Sequence, residues 1–124
     1  MPAALGASES GDAQKEAAST VEVDLGEYSV TVSLPNSTTT LRVDFKLYGT
    51  VSKEEAEEIK SLFEIKNKRF SDLVLYEIRN SASTELADAG LTLIKRRILE
   101  KSNTLFGKPI LRSVGFYQFS HYEQ

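Results

Sequence analysis

Leu41-Arg42-Val43-Asp44-Phe45-Lys46-Leu47-Tyr48-Gly49-Thr50-Val51 decides the fold. Successive side chains of a strand point to opposite faces. Leu41, Val43, Phe45, Leu47, Gly49 and Val51 therefore make one apolar face, and Arg42, Asp44, Lys46, Tyr48 and Thr50 make a wet one. A strand covered on both sides, as in a parallel sheet, reads instead as a continuous apolar run. The sheet that holds this strand has one open face, and the other face must be covered by the rest of the chain.

Upstream, Val21, Val23 and Leu25 share one parity while Tyr28, Val30, Val32 and Leu34 share the other. The slip falls at Gly26-Glu27, and a bulge near Gly26 reconciles the two halves into one strand. Pro35-Asn36-Ser37-Thr38 reads as the turn of a hairpin joining this strand to the next. Residues 1–20 are Ala, Ser, Gly and mixed charges without apolar periodicity, so burial cannot offset the entropy of ordering them. They read as a flexible tail ahead of one folded domain, residues 21–124.

Downstream, Ser52-Lys53-Glu54-Glu55 has the pattern of a capping box, with Ser52 taking an amide of the first turn and Glu55 reaching back. The acidic run to Glu58 suits the positive end of a helix dipole. Ala56, Ile59, Phe63, Phe70, Leu73, Val74 and Ile78 then follow helical spacing. They are interrupted by Lys66-Asn67-Lys68-Arg69, where a bend is expected. Asn80-Ser81-Ala82-Ser83-Thr84 ends this helix, Glu85-Leu86-Ala87-Asp88 offers one more turn, and a second helix is expected from Leu91 to Phe106. Its buried stripe reads as Leu91, Ile94, Ile98 and Leu105. Gly107 is placed for a left-handed C-terminal cap, and Pro109 forbids continuation.

In the closing segment Ile110, Val114 and Phe116 lie on one parity and Leu111, Tyr117 and Phe119 on the other, which predicts an interior strand. The order strand, strand, helix, helix, strand gives an α+β domain, ββααβ, with helices on one face of an antiparallel or mixed sheet.

The 124 residues suit a single domain, with 40% hydrophobic and 27% charged residues. Cysteine is absent, which removes disulfides, thiolate nucleophiles and sulfur-based metal sites. The single histidine, His121, has no second His or Cys with which to share a metal or complete a triad. The glycines lack the spacing and the lysine of a phosphate-cradling loop. The carboxylates Glu54, Glu55, Glu57 and Glu58 sit on an exposed first turn without an apolar pocket to raise a pKa. The residues thus assign no catalytic, cofactor or metal role, and the chain reads as a non-enzymatic binding domain.

Charge is unevenly spread: residues 1–64 carry 5 Lys/Arg against 12 Asp/Glu, and residues 65–124 carry 10 against 6. Lys95, Arg96 and Arg97, with Lys101 and Arg112 nearby, are the candidates for protein contact. The alternative for them is a solvated helix face. A pI near 5.2 argues against nucleic acid as the partner. No run approaches the roughly 20 apolar residues of a membrane-spanning helix.

From Val21 onward the chain resembles the C-terminal domain of the flagellar basal-body-associated FliL family. The resemblance lies in Asp24-Leu25-Gly26-Glu27-Tyr28-Ser29-Val30, in Leu41-Arg42-Val43-Asp44-Phe45-Lys46-Leu47, in the long helix from Ser52 and in Arg79-Asn80-Ser81-Ala82-Ser83-Thr84-Glu85-Leu86. Gly90 with Leu93, Arg96 and Arg97 continues it, and the closing Val114-Gly115-Phe116-Tyr117-Gln118-Phe119 is its most diagnostic part. The resemblance implies a stomatin-like fold, self-association into rings, and contacts with flagellar motor or stator proteins in support of motility. It implies no cofactor. The family carries a membrane anchor ahead of this domain. As written the chain reads as soluble and cytoplasmic; as the outer part of an anchored protein it would face the periplasm, and it would otherwise meet the membrane through a partner. The alternative is a soluble adaptor or ligand-binding domain that shares the fold without a role in motility.

Overall fold

The computed structural model describes residues 19–33, 38–81 and 91–123. β1 (Thr20–Ser33) and β2 (Thr40–Ser52) pair antiparallel. A short 3-10 turn, Lys53–Glu55, leads into α1 (Ala56–Arg79), followed by α2 (Thr92–Phe106) and β3 (Leu111–Glu123). β3 pairs antiparallel with β2, so the sheet has the order β1-β2-β3 with β2 in the centre. The domain is α+β with the expected ββααβ order. Of the expected tail, residues 1–20, the first eighteen lie outside the described residues and Thr20 already opens β1; residues 35–37 of the expected turn and the expected turn at residues 85–88 also lie outside them.

The alternation along β2 governs the packing. Leu41, Val43, Phe45, Leu47 and Val51 are all buried, and both helices lie over that face. α1 packs mainly beneath β1 and α2 mainly beneath β3. Phe45 stacks on Tyr28 at 5.4 Å between centroids, and on the helical side Phe70 stacks on Phe106 at 5.9 Å. Each fully buried side chain of this size contributes about 1.5–3 kcal/mol, so the aromatic layer anchors the core.

The slip in β1 resolves as expected. Register shifts between Asp24 and Glu27, and Gly26 takes φ 108, a conformation that disfavours a side chain. Leu25 and Tyr28 are thereby both buried, and the Tyr28 hydroxyl donates to Leu25 O at 2.7 Å across the bulge.

β3 departs from expectation: among the described residues it is an outer strand of the sheet, not an interior one. Two irregularities account for its mixed parity. Register slips between Thr50/Val51 of β2 and Ser113/Leu111, and again between Asp44/Lys46 and Ser120/Tyr117, where Gln118 takes φ 52. Each slip turns the following residues over, so Leu111, Val114, Phe116 and Phe119 all reach the helical face. Phe116 and Phe119 meet the Phe45 ring at 5.1 and 5.9 Å. The apolar residues on both parities thus serve one face, except Tyr117, which stays on the wet face opposite Lys46.

The expected bend in α1 is present at Lys66, whose φ −111 and ψ 18 are non-helical. Lys66 occupies the stripe position between Phe63 and Phe70. Its half-buried stem lies along the helix pair and its amine donates to Leu105 O, 2.9 Å away, in the last turn of α2. Asn67 Nδ2 donates to Glu64 O at 2.9 Å beside the break.

The stripe of α2 differs in one respect. After Ile94 and Ile98 it continues through Ser102 and Phe106, while Leu105 is only partly buried. The four-residue spacing of these positions makes one straight ridge against α1. Gly107 forms the predicted left-handed cap at φ 84, with its amide donating to Asn103 O at 3.0 Å. The Asn103 side chain then grips the start of β3: Nδ2 donates to Leu111 O at 3.0 Å and Leu111 N donates to Oδ1 at 2.9 Å.

Candidate functional site

The basic residues singled out on α2 divide into two groups. Arg97 Nε lies 2.9 Å from Glu77 Oε1, and Lys101 Nζ pairs with Glu77 Oε2. Glu77 is 4% exposed and projects from α1 among Val74 and Ile78, so these two cations satisfy an otherwise costly buried carboxylate. Lys101 also stands 5.0 Å from the centroid of the exposed Tyr76 ring. Arg97 and Lys101 therefore clamp α2 to α1. Arg96 is exposed and Lys95 partly buried on the neighbouring surface of α2.

Arg112 sits apart from these, exposed in β3 at the first irregularity, where its charge acts on Glu54. Of the five contact candidates, Arg97 and Lys101 are thus engaged within the chain by Glu77. Glu77 was missed because a lone glutamate beside a helical stripe reads as boundary, and its partners lie 20 and 24 residues away.

The acidic first turn of α1 is tied down in a similar way. Ser52 Oγ accepts from Glu54 N at 3.3 Å and donates to Glu54 Oε2 at 2.7 Å. That hydrogen bond holds the Glu54 carboxyl below its usual range. The reciprocal partner of Ser52 is Glu54 and not Glu55, because the 3-10 turn tightens the chain there. Glu55 and Glu58 turn to Lys108, at 3.3 and 3.1 Å, which raises the lysine's pKa through the Glu58 bond first and the Glu55 bond second.

The wet face of the sheet is patterned. Asp44 accepts from Ser29 and from Arg42 Nε, the latter at 3.1 Å, and both bonds lower its pKa, that from Ser29 more. Tyr48 and Tyr117 face each other at 6.0 Å between centroids, with Lys46 5.9 Å from the Tyr117 ring. The Tyr117 hydroxyl points to Asp24 Oδ1 at 3.4 Å, and its pKa is raised first by desolvation and then by that carboxylate. Tyr48 lies directly over Gly115: a Cβ there would stand 2.5 Å from its ring.

Two depressions flank the outer strand β1. On the wet face, an open one of ≈ 560 Å³ is lined by Glu22, Val23, Asp24, Tyr48 and Tyr117. On the helical side, a groove of ≈ 280 Å³ runs between β1 and α1 past Val23, Leu25, Ile59 and Phe63, with Lys60 at its lip. The sequence pattern did not single out this strand segment, because it becomes a site only through its place at the edge of the sheet.

His121 is exposed on β3, with its ring 6.0 Å from that of Phe119. Among the described residues, no three His, Cys, Asp or Glu side chains are grouped to hold a metal, and no helix is long and apolar enough to cross a membrane. Compared with known proteins, the chain matches no family model and no curated sequence.

Proposed function

We propose that this chain is a non-enzymatic protein of the FliL type, associated with the flagellar basal body and supporting stator function and motility through contacts with motor proteins and with copies of itself. The observation that carries this reading is the closing strand. Val114-Gly115-Phe116-Tyr117-Gln118-Phe119 resembles the family's closing strand, and its two phenylalanines close over Phe45 at the end of a ββααβ chain. A membrane role, on this reading, comes through a partner or through an anchor ahead of the domain.

Deletion of the gene, with complementation by the full chain, tests the reading. Slower swimming or swarming is expected, together with oligomers captured by crosslinking. Normal motility with a strict monomer at high concentration would contradict it and favour an adaptor unrelated to motility.

A further inference from the structure

β1 is an outer strand of the sheet: β2 pairs with one side of it, and among the described residues no strand pairs with the other. An outer strand with open backbone donors and acceptors is a template for an added strand. Natural edges are often broken by a bulge, and β1 has one, but it begins only after Asp24 and leaves residues 21–24 in regular register. Four residues span roughly 13 Å, enough to seat an extended peptide.

We propose that residues 21–24 are a docking edge for an extended segment of a partner protein in which apolar residues alternate with lysine or arginine. The alternation follows from the two depressions. A strand added beside β1 sends every second side chain to the helical side, into the apolar groove formed by Val23, Ile59 and Phe63. The intervening side chains go to the wet face, beside the Glu22 and Asp24 carboxylates, which line the open depression there. Two exposed carboxylates on the outer strand favour a cation through charge complementarity.

A second copy of this chain fits this edge poorly. Between its irregularities, β3 would place Ser113, Gly115 and Tyr117 at the cation positions, and β1 against β1 would oppose carboxylate to carboxylate. The inference rests on reading the chain as a protein-binding module, and it stands or falls separately from the flagellar assignment, because its test is made in solution.

The probe is a blocked heptapeptide alternating valine and lysine, titrated into the full chain while backbone amide resonances are followed. Saturable shifts centred on residues 21–24 are expected. A peptide of the same composition with its valines and lysines in two blocks, and an alternating valine–glutamate peptide, should bind at least roughly tenfold more weakly. Of two alternating peptides N-methylated on opposite sets of backbone nitrogens, one should lose binding. E22K/D24K, at two exposed positions, should weaken binding about fivefold or more while leaving the circular dichroism unchanged.

Absence of saturable shifts, shifts centred elsewhere, equal binding of the block peptide, or indifference to both methylation patterns would overturn the proposal. Concentration-dependent shifts at residues 21–24 without peptide would assign the edge to a second copy instead and overturn it also. Peptide binding at this edge in a protein whose deletion leaves swimming normal would keep the docking edge and remove the flagellar reading.

Discussion

Glu77 offers the sharpest test of how the two helices are held together. Its side chain is 5% exposed, whereas its partners Arg97 and Lys101 are 31% and 49% exposed. The costs of the two ways of breaking the network are therefore unequal. In Glu77→Gln the cations lose their carboxylate but keep water, and the amide keeps the shape, so the loss is about 1–2 kcal/mol, near that of a charged hydrogen bond. In the double variant Arg97→Met, Lys101→Met the stems still pack, yet the carboxylate stays buried without a counter-charge, which costs about 3–4 kcal/mol.

Urea unfolding followed by circular dichroism measures both, with the midpoint moving and the slope unchanged. At roughly 4–8 °C per kcal/mol the melting temperatures should separate clearly. Each single methionine variant should cost less than half the double, because one cation still faces Glu77. A double variant no less stable than Glu77→Gln would refute the assignment of Glu77 as the buried hub.

Gly49→Ala should destabilise by about 1–3 kcal/mol, since its Cβ would stand 2.8 Å from buried Leu111 and 3.2 Å from the Ser113 carbonyl. Gly115→Ala should cost less, because the obstacle is the half-exposed Tyr48 ring, and chemical denaturation should rank the two variants in that order. Asn103→Ala removes both hydrogen bonds to Leu111 and should cost about 1–3 kcal/mol, with faster exchange of the Leu111 amide by NMR. The folded-state pKa of Asp44 is depressed, so its stabilisation is present above the unfolded carboxylate value and is lost as pH falls through the folded one. Asp44→Asn should accordingly flatten the acid limb of the stability curve.

The ladder of β2 was legible in full because its alternation is long and unbroken, and burial follows it residue by residue. The bulge at Gly26 and the bend at Lys66 were legible for a related reason. Each is a visible break in a period, with glycine or a charged run at the break. β3 was misread because two irregularities within thirteen residues mimic a strand covered on both faces.

Ser102 was overlooked in the α2 stripe because its small polar side chain is buried only by close helix packing. The pairing of Arg97 and Lys101 with Glu77 was illegible in principle, since local spacing carries no information about which carboxylate a helix docks upon. The edge of β1 was hidden in the same way: strand order is a tertiary fact.

The most direct test of the flagellar account is affinity capture of the full-length tagged protein from its native cells under mild crosslinking, with bound proteins identified by mass spectrometry. Flagellar stator or basal-body proteins enriched over a strain carrying the tag alone, together with crosslinked copies of the chain itself, are the predicted result. Capture that enriches no motor component from cells with assembled flagella would contradict it.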